Sequence, residues 1–157
     1  MFEVYLFDWG DTLMVDSKDT AGKMCDWSEV QAMPGAYEVL EKLSQQAKIY
    51  IATGASSSSA DDIEKAFQRV NMSQFIDGYF CQDNLGIAKG LPDFLPAIIA
   101  RLGRPQAAIA MVGDSWQKDM QPALLAGIQP IWLSQQAEVA SYPAIRIIRC
   151  LNELCCP

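Results

Sequence analysis

The sequence predicts an α/β fold, a three-layer doubly wound parallel sheet with helices on both faces. Three observations lead there. Short apolar runs alternate with amphipathic, helix-patterned segments from end to end, without internal repeats or a linker. The runs are uniformly apolar rather than alternating, as suits strands buried on both faces. Several of them stop abruptly at a glycine or a polar residue, which places chemistry at strand ends.

The first strand, Glu3 to Phe7, halts at Asp8-Trp9-Gly10-Asp11-Thr12, because carboxylates and glycine are poor strand residues. Asp8 then sits at the carboxyl end of a parallel strand, where ligands bind in open α/β sheets. An ionised carboxylate there needs no partner base to act as a nucleophile or cation ligand. Alone, it could equally cap the turn. The polar stretch Val15 to Met33, with Lys18, Lys23 and Trp27, reads as a flap or short hairpin beside that end. Pro34-Gly35 opens an amphipathic helix from Ala36 to Leu43, with proline in its first turn.

Lys48 to Ala52 is the second strand, ending at Thr53-Gly54. Ser56 to Ser59 leads into a helix near Ala60 to Val70, with Asp61, Asp62 and Glu64 at its positive end. Gly78 to Cys81 is a short third strand, followed by a loop carrying Lys89 and a helix from Pro92-Asp93 to Arg101. Ala108 to Val112 is the fourth strand, broken by Gly113-Asp114. Asp119 to Ala126 is a helix closed by Gly127. Pro130 to Leu133 makes a fifth strand and Ile145 to Ile148 an edge strand. Asp8, Thr53, Lys89 and Asp114 thus follow four strands, on one rim of the sheet. Each has a structural explanation by itself; four together indicate a site.

Composition narrows the chemistry. The 157 residues fit one domain, 1–157, with a short flap at about 14–33. The formal charge of −7 opposes non-specific nucleic-acid binding, which relies on Lys and Arg displacing counterions. No apolar run approaches the roughly 20 residues that cross a bilayer, and no signal-peptide pattern opens the chain, so a cytoplasmic location without membrane partners is expected. Five cysteines without C-x-x-C spacing read as reduced structural thiols. With no histidine in the chain, Ser-His-Asp and Cys-His catalysis is excluded.

Taken together, Asp8 to Thr12, Thr53, Lys89 before Pro92-Asp93, and Gly113-Asp114-Ser115-Trp116-Gln117-Lys118-Asp119 resemble the four motifs of the haloacid dehalogenase (HAD) superfamily. That family consists mostly of magnesium-dependent phosphatases. Its first motif reads D-x-D-x-T and its fourth G-D-x-x-x-x-D, and the resemblance spans about Val4 to Leu133. It implies that Asp8 attacks phosphorus and becomes an aspartyl phosphate. It also implies that Asp8, Asp114 and the Gly10 carbonyl hold Mg²⁺, that Thr53, the Gly54 amide and Lys89 bind the phosphoryl oxygens, and that Asp119 orients Lys89 or a metal-bound water. Thr12 completes the catalytic motif. The implied partner is a phosphorylated small molecule, with oligomerisation left open.

One position departs from the family. The hydrolases carry a second Asp two residues after the nucleophile, which protonates the leaving group and then activates water; here it is Gly10. Such general acid–base help is typically worth about 10²–10⁴ in rate. A hydrolase with a weakened acid–base step is therefore expected, and a catalytically inactive phosphate-binding or interaction module is the alternative. Phosphonoacetaldehyde hydrolases have a similar D-W-A-G-T stretch, but they use a cap-domain lysine and the segment from Leu13 to Met33 is too short for such a cap. An open site follows, with Trp9, Trp27 and Trp116 candidates for its mouth.

Overall fold

The computed structural model describes residues Met1–Cys156. Six strands form one fully parallel sheet in the order β3-β2-β1-β4-β5-β6. They are β1 (Val4–Phe7), β2 (Lys48–Ala52), β3 (Gly78–Phe80), β4 (Ile109–Gly113), β5 (Gln129–Leu133) and β6 (Arg146–Ile148). The helices are α1 (Ala36–Ser44), α2 (Ala60–Arg69), α3 (Gln82–Leu85), α4 (Phe94–Leu102) and α5 (Gln121–Ala126). This is a Rossmann-type α/β architecture, with no large cap among the described residues. The chain winds outward from β1 in one direction and from β4 in the other. The reversal lies between these two adjacent strands, and a crevice opens at their carboxyl ends.

Alternation along β1 builds two cores. Tyr5 and Phe7 face Val39, Leu40, Ile63 and Phe67 of α1 and α2, whereas Val4 and Leu6 face Phe94, Leu95 and Ile98 of α4 and Ala123 of α5. All four residues of β1 are buried, which accounts for their unbroken apolar character. Among the described residues, no helix is long and apolar enough to cross a membrane. The five cysteines are free thiols.

Three local features differ from the sequence expectation. Pro34 precedes α1 instead of lying in its first turn, because Gly35 is the N-cap at φ +80°. A Cβ at Gly35 would stand 2.1 Å from Asn152 Oδ1, so the C-terminal segment packs where only glycine fits. Between β3 and Lys89 the chain forms α3 instead of a plain loop. Asp119 belongs to a π-helical turn, Trp116–Met120, ahead of α5.

The segment from Val15 to Met33 is pinned at both ends. Val15 N–H donates to Gln31 C=O (2.9 Å) and Met33 N–H to Leu13 C=O (2.8 Å), closing its base. Arg69 of α2 donates to the carbonyls of Cys25, Trp27 and Ser28, and Lys23 pairs with Asp62 at 2.9 Å. Phe67, fully buried on the same helix, packs with its ring centroid 6.4 Å from that of Trp9 and 6.0 Å from that of Tyr79. Truncating it would open a cavity beneath the strand that carries Asp8. Phe67→Ala is expected to lower unfolding stability by about 3–5 kcal/mol, read as a lower urea midpoint at unchanged slope.

Candidate active site

Four chain segments deliver their polar groups to one point. The Lys89 side chain is only 3% exposed, and its ammonium contacts Asp8 Oδ1 at 2.7 Å, Asp119 Oδ1 at 2.6 Å and the Ala52 carbonyl oxygen at 2.9 Å. The ammonium thereby makes two hydrogen bonds, to the ends of β1 and β2, and an ion pair with the turn after β4. Thr12, fully buried, donates its hydroxyl to Asp8 Oδ2 (3.1 Å) and lies 3.5 Å from Asp114 Oδ1, bridging the ends of β1 and β4. Asp8 N–H donates to Val112 C=O at 2.9 Å, which fixes the backbone between the strands.

Asp119 is held as tightly. Its Oδ2 accepts the Ser115 N–H at 3.0 Å while Oδ1 takes Lys89. Met120 N–H bonds to Ser115 C=O (3.2 Å), the i→i−5 step that defines the π turn. The carboxylate folds back over Gly113, where an added Cβ would stand 2.3 Å from Asp119 Cγ. The close approach explains the glycine of the Gly113-Asp114 pair. At Gly54 the space is less restrictive, since an added Cβ there would stand 3.5 Å from Lys89 Cβ. Thr53 is buried, and its Oγ1 accepts the Ala55 N–H (3.1 Å).

Asp8, Thr53, Gly54, Lys89, Asp114 and Asp119 line a cleft of about 640 Å³ shared with Gly10, Asp16 and Trp27. Of the three tryptophans expected at its mouth, Trp9 and Trp27 line it. Trp116 instead stacks with Trp132 and Tyr142, at centroid distances of 5.6 and 5.1 Å. Asp16, in the pinned segment, is a cleft residue that sequence motifs do not single out.

The charges do not cancel. One carboxylate oxygen each from Asp8, Asp114 and Asp119 lies within 4.8 Å of the others, and Lys89 meets only two of the three groups. Burial pushes the Asp8 carboxyl upward, but the Lys89 ammonium and hydrogen bonds from Asp114 and Lys89 outweigh it and hold Asp8 below the ordinary carboxylate range. Burial also works against the charged form of Lys89, and Asp8 and Asp119 reverse this, raising its pKa. For Asp119, burial wins over Lys89 and its carboxyl titrates above the ordinary range. Asp114 is pushed up to about 7, by burial first and then by its hydrogen bond to Asp8 and repulsion from Asp8 and Asp119. Without a cation, a proton on Asp114 relieves its repulsion with Asp8. Hard carboxylate oxygens with a deficit of positive charge fit a small divalent cation such as Mg²⁺. Asp8 and Asp114 are the natural pair to hold one, since both retain solvent exposure while Asp119 is fully buried.

Comparison with known proteins identifies the family and the fold. The haloacid dehalogenase-like hydrolase family model matches residues 9–127. The pyrimidine 5′-nucleotidase YjjG of Escherichia coli is 25% identical over 65% of this chain and 44% of its own length. The chain spans less than half the length of the curated relatives it matches. Among solved structures, the HAD-hydrolase YfnB of Bacillus subtilis, bound to magnesium, superposes with a TM-score of 0.76 at 17% identity, over a span covering 98% of this chain and 96% of that one. A HAD phosphatase from Thermococcus onnurineus superposes with a TM-score of 0.67 at 25% identity, covering 80% and 57%. The chain belongs to the haloacid dehalogenase-like hydrolases.

The raised Asp114 pKa has a consequence for folding. The folded state holds a proton there that the unfolded chain gives up near the ordinary carboxylate value of about 4. The stability this contributes is complete below that value and is lost as pH rises through about 7. Asp114→Asn is therefore expected to raise the melting temperature of the metal-free protein at pH 8 and to flatten its decline between pH 4 and 7. Thermal melts in EDTA across that range measure both effects.

Proposed function

We propose that this hydrolase is a magnesium-dependent phosphatase acting on a small phosphorylated substrate, with Asp8 as nucleophile. The observation that carries this reading is Lys89 bonded at once to Asp8 and Asp119, with Asp114 across the Thr12 hydroxyl. A carboxylate approaching an anionic phosphoryl group must overcome repulsion, and positioning plus charge stabilisation supply most of phosphoryl-transfer catalysis. Asp8 and Asp114, with the Gly10 carbonyl, would hold Mg²⁺. When bound, that ion supplies Lewis-acid stabilisation of phosphoryl charge.

The chain's own residues do the rest. Thr12 orients Asp8 through the hydrogen bond to its Oδ2. Lys89 and the Thr53-Gly54 turn receive phosphoryl oxygens, and Asp119 keeps Lys89 in place. Asp8 forms the bond to phosphorus, the leaving group departs with its electron pair, and water later releases phosphate from the aspartyl phosphate. Lys18 and Lys118 on the cleft wall, without ion-pair partners among the described residues, favour an anionic substrate. We take 1–157 as one capless unit whose cleft is bordered by the pinned segment at about 14–33.

Gly10 supports a second reading, a phosphate-binding module that holds the cation without turnover. The two separate cleanly with p-nitrophenyl phosphate. Turnover that needs Mg²⁺, stops in EDTA and falls to the enzyme-free rate in Asp8→Asn is expected. If BeF₃⁻ and Mg²⁺ bind at Asp8 while wild type and Asp8→Asn are equally inert toward the ester, the module reading replaces the phosphatase.

A further inference from the structure

The family's second carboxylate is missing from position 10, yet the space it would enter is not empty. A Cβ built on Gly10 would stand 3.2 Å from both Cβ and Oδ2 of Asp16. In an aspartate at position 10 the carboxylate would begin one bond beyond that Cβ, so Asp16 brings its own carboxylate to the same neighbourhood from the facing segment. Gly10 does not have a positive φ and is not held to glycine by its backbone. The space above it is taken by Asp16.

The chain is folded to bring this about. Asp11 adopts the left-handed conformation (φ 59°), which Asp tolerates better than most residues, and its N–H donates to Met14 C=O at 2.6 Å. That tight turn sends Met14 back beside Gly10 and pairs it with Ala32. Asp11 Oδ1 then accepts the Asp16 N–H at 3.0 Å, fixing the backbone of Asp16 just beyond the closed base of the segment. Asp16 lines the same cleft as Asp8, Lys89 and Asp114, and it is solvent-exposed. Among the described residues, its carboxylate has no ion-pair partner.

We propose that Asp16 is a catalytic residue, the general base for hydrolysis of the aspartyl phosphate in place of the absent carboxylate at position 10. This rests on the phosphatase reading. In the step, a water oxygen forms the new bond to phosphorus while its proton passes to the Asp16 carboxylate. The bond from phosphorus to Asp8 breaks, and its electron pair returns to the Asp8 carboxylate. Inorganic phosphate leaves, and Asp16 returns its proton to solvent. The leaving group in this step is a carboxylate and needs no proton, so a base alone suffices.

Acetyl phosphate with Mg²⁺ provides the test, because loading of Asp8 and its subsequent decay are read separately. Wild type should form an acid-stable, hydroxylamine-labile acyl phosphate that decays. Asp16→Asn should load at the wild-type rate and lose phosphate about 10²-fold or more slowly. The double variant Asp16→Ala/Gly10→Asp should decay much faster than Asp16→Asn, since alanine vacates the space beyond Cβ that the new carboxylate enters. Equal loading also shows that Asp16→Asn is folded. Decay in Asp16→Asn within about twofold of wild type, against the far larger loss expected for a missing base, overturns the role of Asp16 and leaves the phosphatase reading standing. Failure of wild type to load Asp8 removes the phosphatase reading and this role with it.

Discussion

One buried ammonium joins the site together. Lys89 reaches from the loop after α3 to bind the end of β1 through Asp8, the end of β2 through Ala52 and the π turn after β4 through Asp119. Each contact spans parts of the chain far apart in sequence, so the geometry exists only once the sheet is assembled. Burying a lysine is costly unless it is paired and hydrogen-bonded, and this one has two ion-pair partners and two hydrogen bonds. The reciprocal holds for Asp8 and Asp119, which would confront each other at close range without it. The glycine at 113 follows from the same constraint, because Asp119 reaches Lys89 by lying across its backbone.

The arrangement stops short of neutrality. Lys89 offsets two carboxylates incompletely, and the third, Asp114, keeps a proton up to about pH 7. A site that retains protons near neutrality is also one that exchanges them for a metal ion, because ligation requires the deprotonated carboxylate. The same excess of negative charge that disfavours the metal-free protein above pH 7 thus prepares it for a divalent ion. The switch point of the sheet, between β1 and β4, sets Asp8 and Asp114 side by side and makes this possible.

Much of this is legible in the sequence, for identifiable reasons. Central strands β1 and β4, buried throughout, leave unbroken apolar runs, the outer four are apolar enough to be read to within a residue or two, and parallel strands put Asp8, Thr53 and Asp114 on one rim. Local caps are harder. Gly35 rather than Pro34 starts α1 because a residue near the far end of the chain, Asn152, packs against it. The π turn at Trp116–Met120 depends on Asp119 meeting Lys89, a contact between distant segments that no local pattern encodes. Trp116 turns away from the cleft because Trp132 and Tyr142 offer it an aromatic surface. Asp16 is invisible for a related reason. Its approach to Gly10 depends on the left-handed backbone of Asp11 and the pairing of Met14 with Ala32, neither of which residue spacing reveals.

The central claim is that Asp8 and Asp114 form a divalent-cation site whose remaining charge is balanced by Lys89. Crystals soaked in Mn²⁺, a surrogate for Mg²⁺ with an anomalous signal, test it most directly. A single peak about 2.1 Å from one oxygen each of Asp8 and Asp114, with Lys89 still on Asp119, is the expected result. A peak bound elsewhere, or one that displaces Lys89 from both carboxylates, would contradict it.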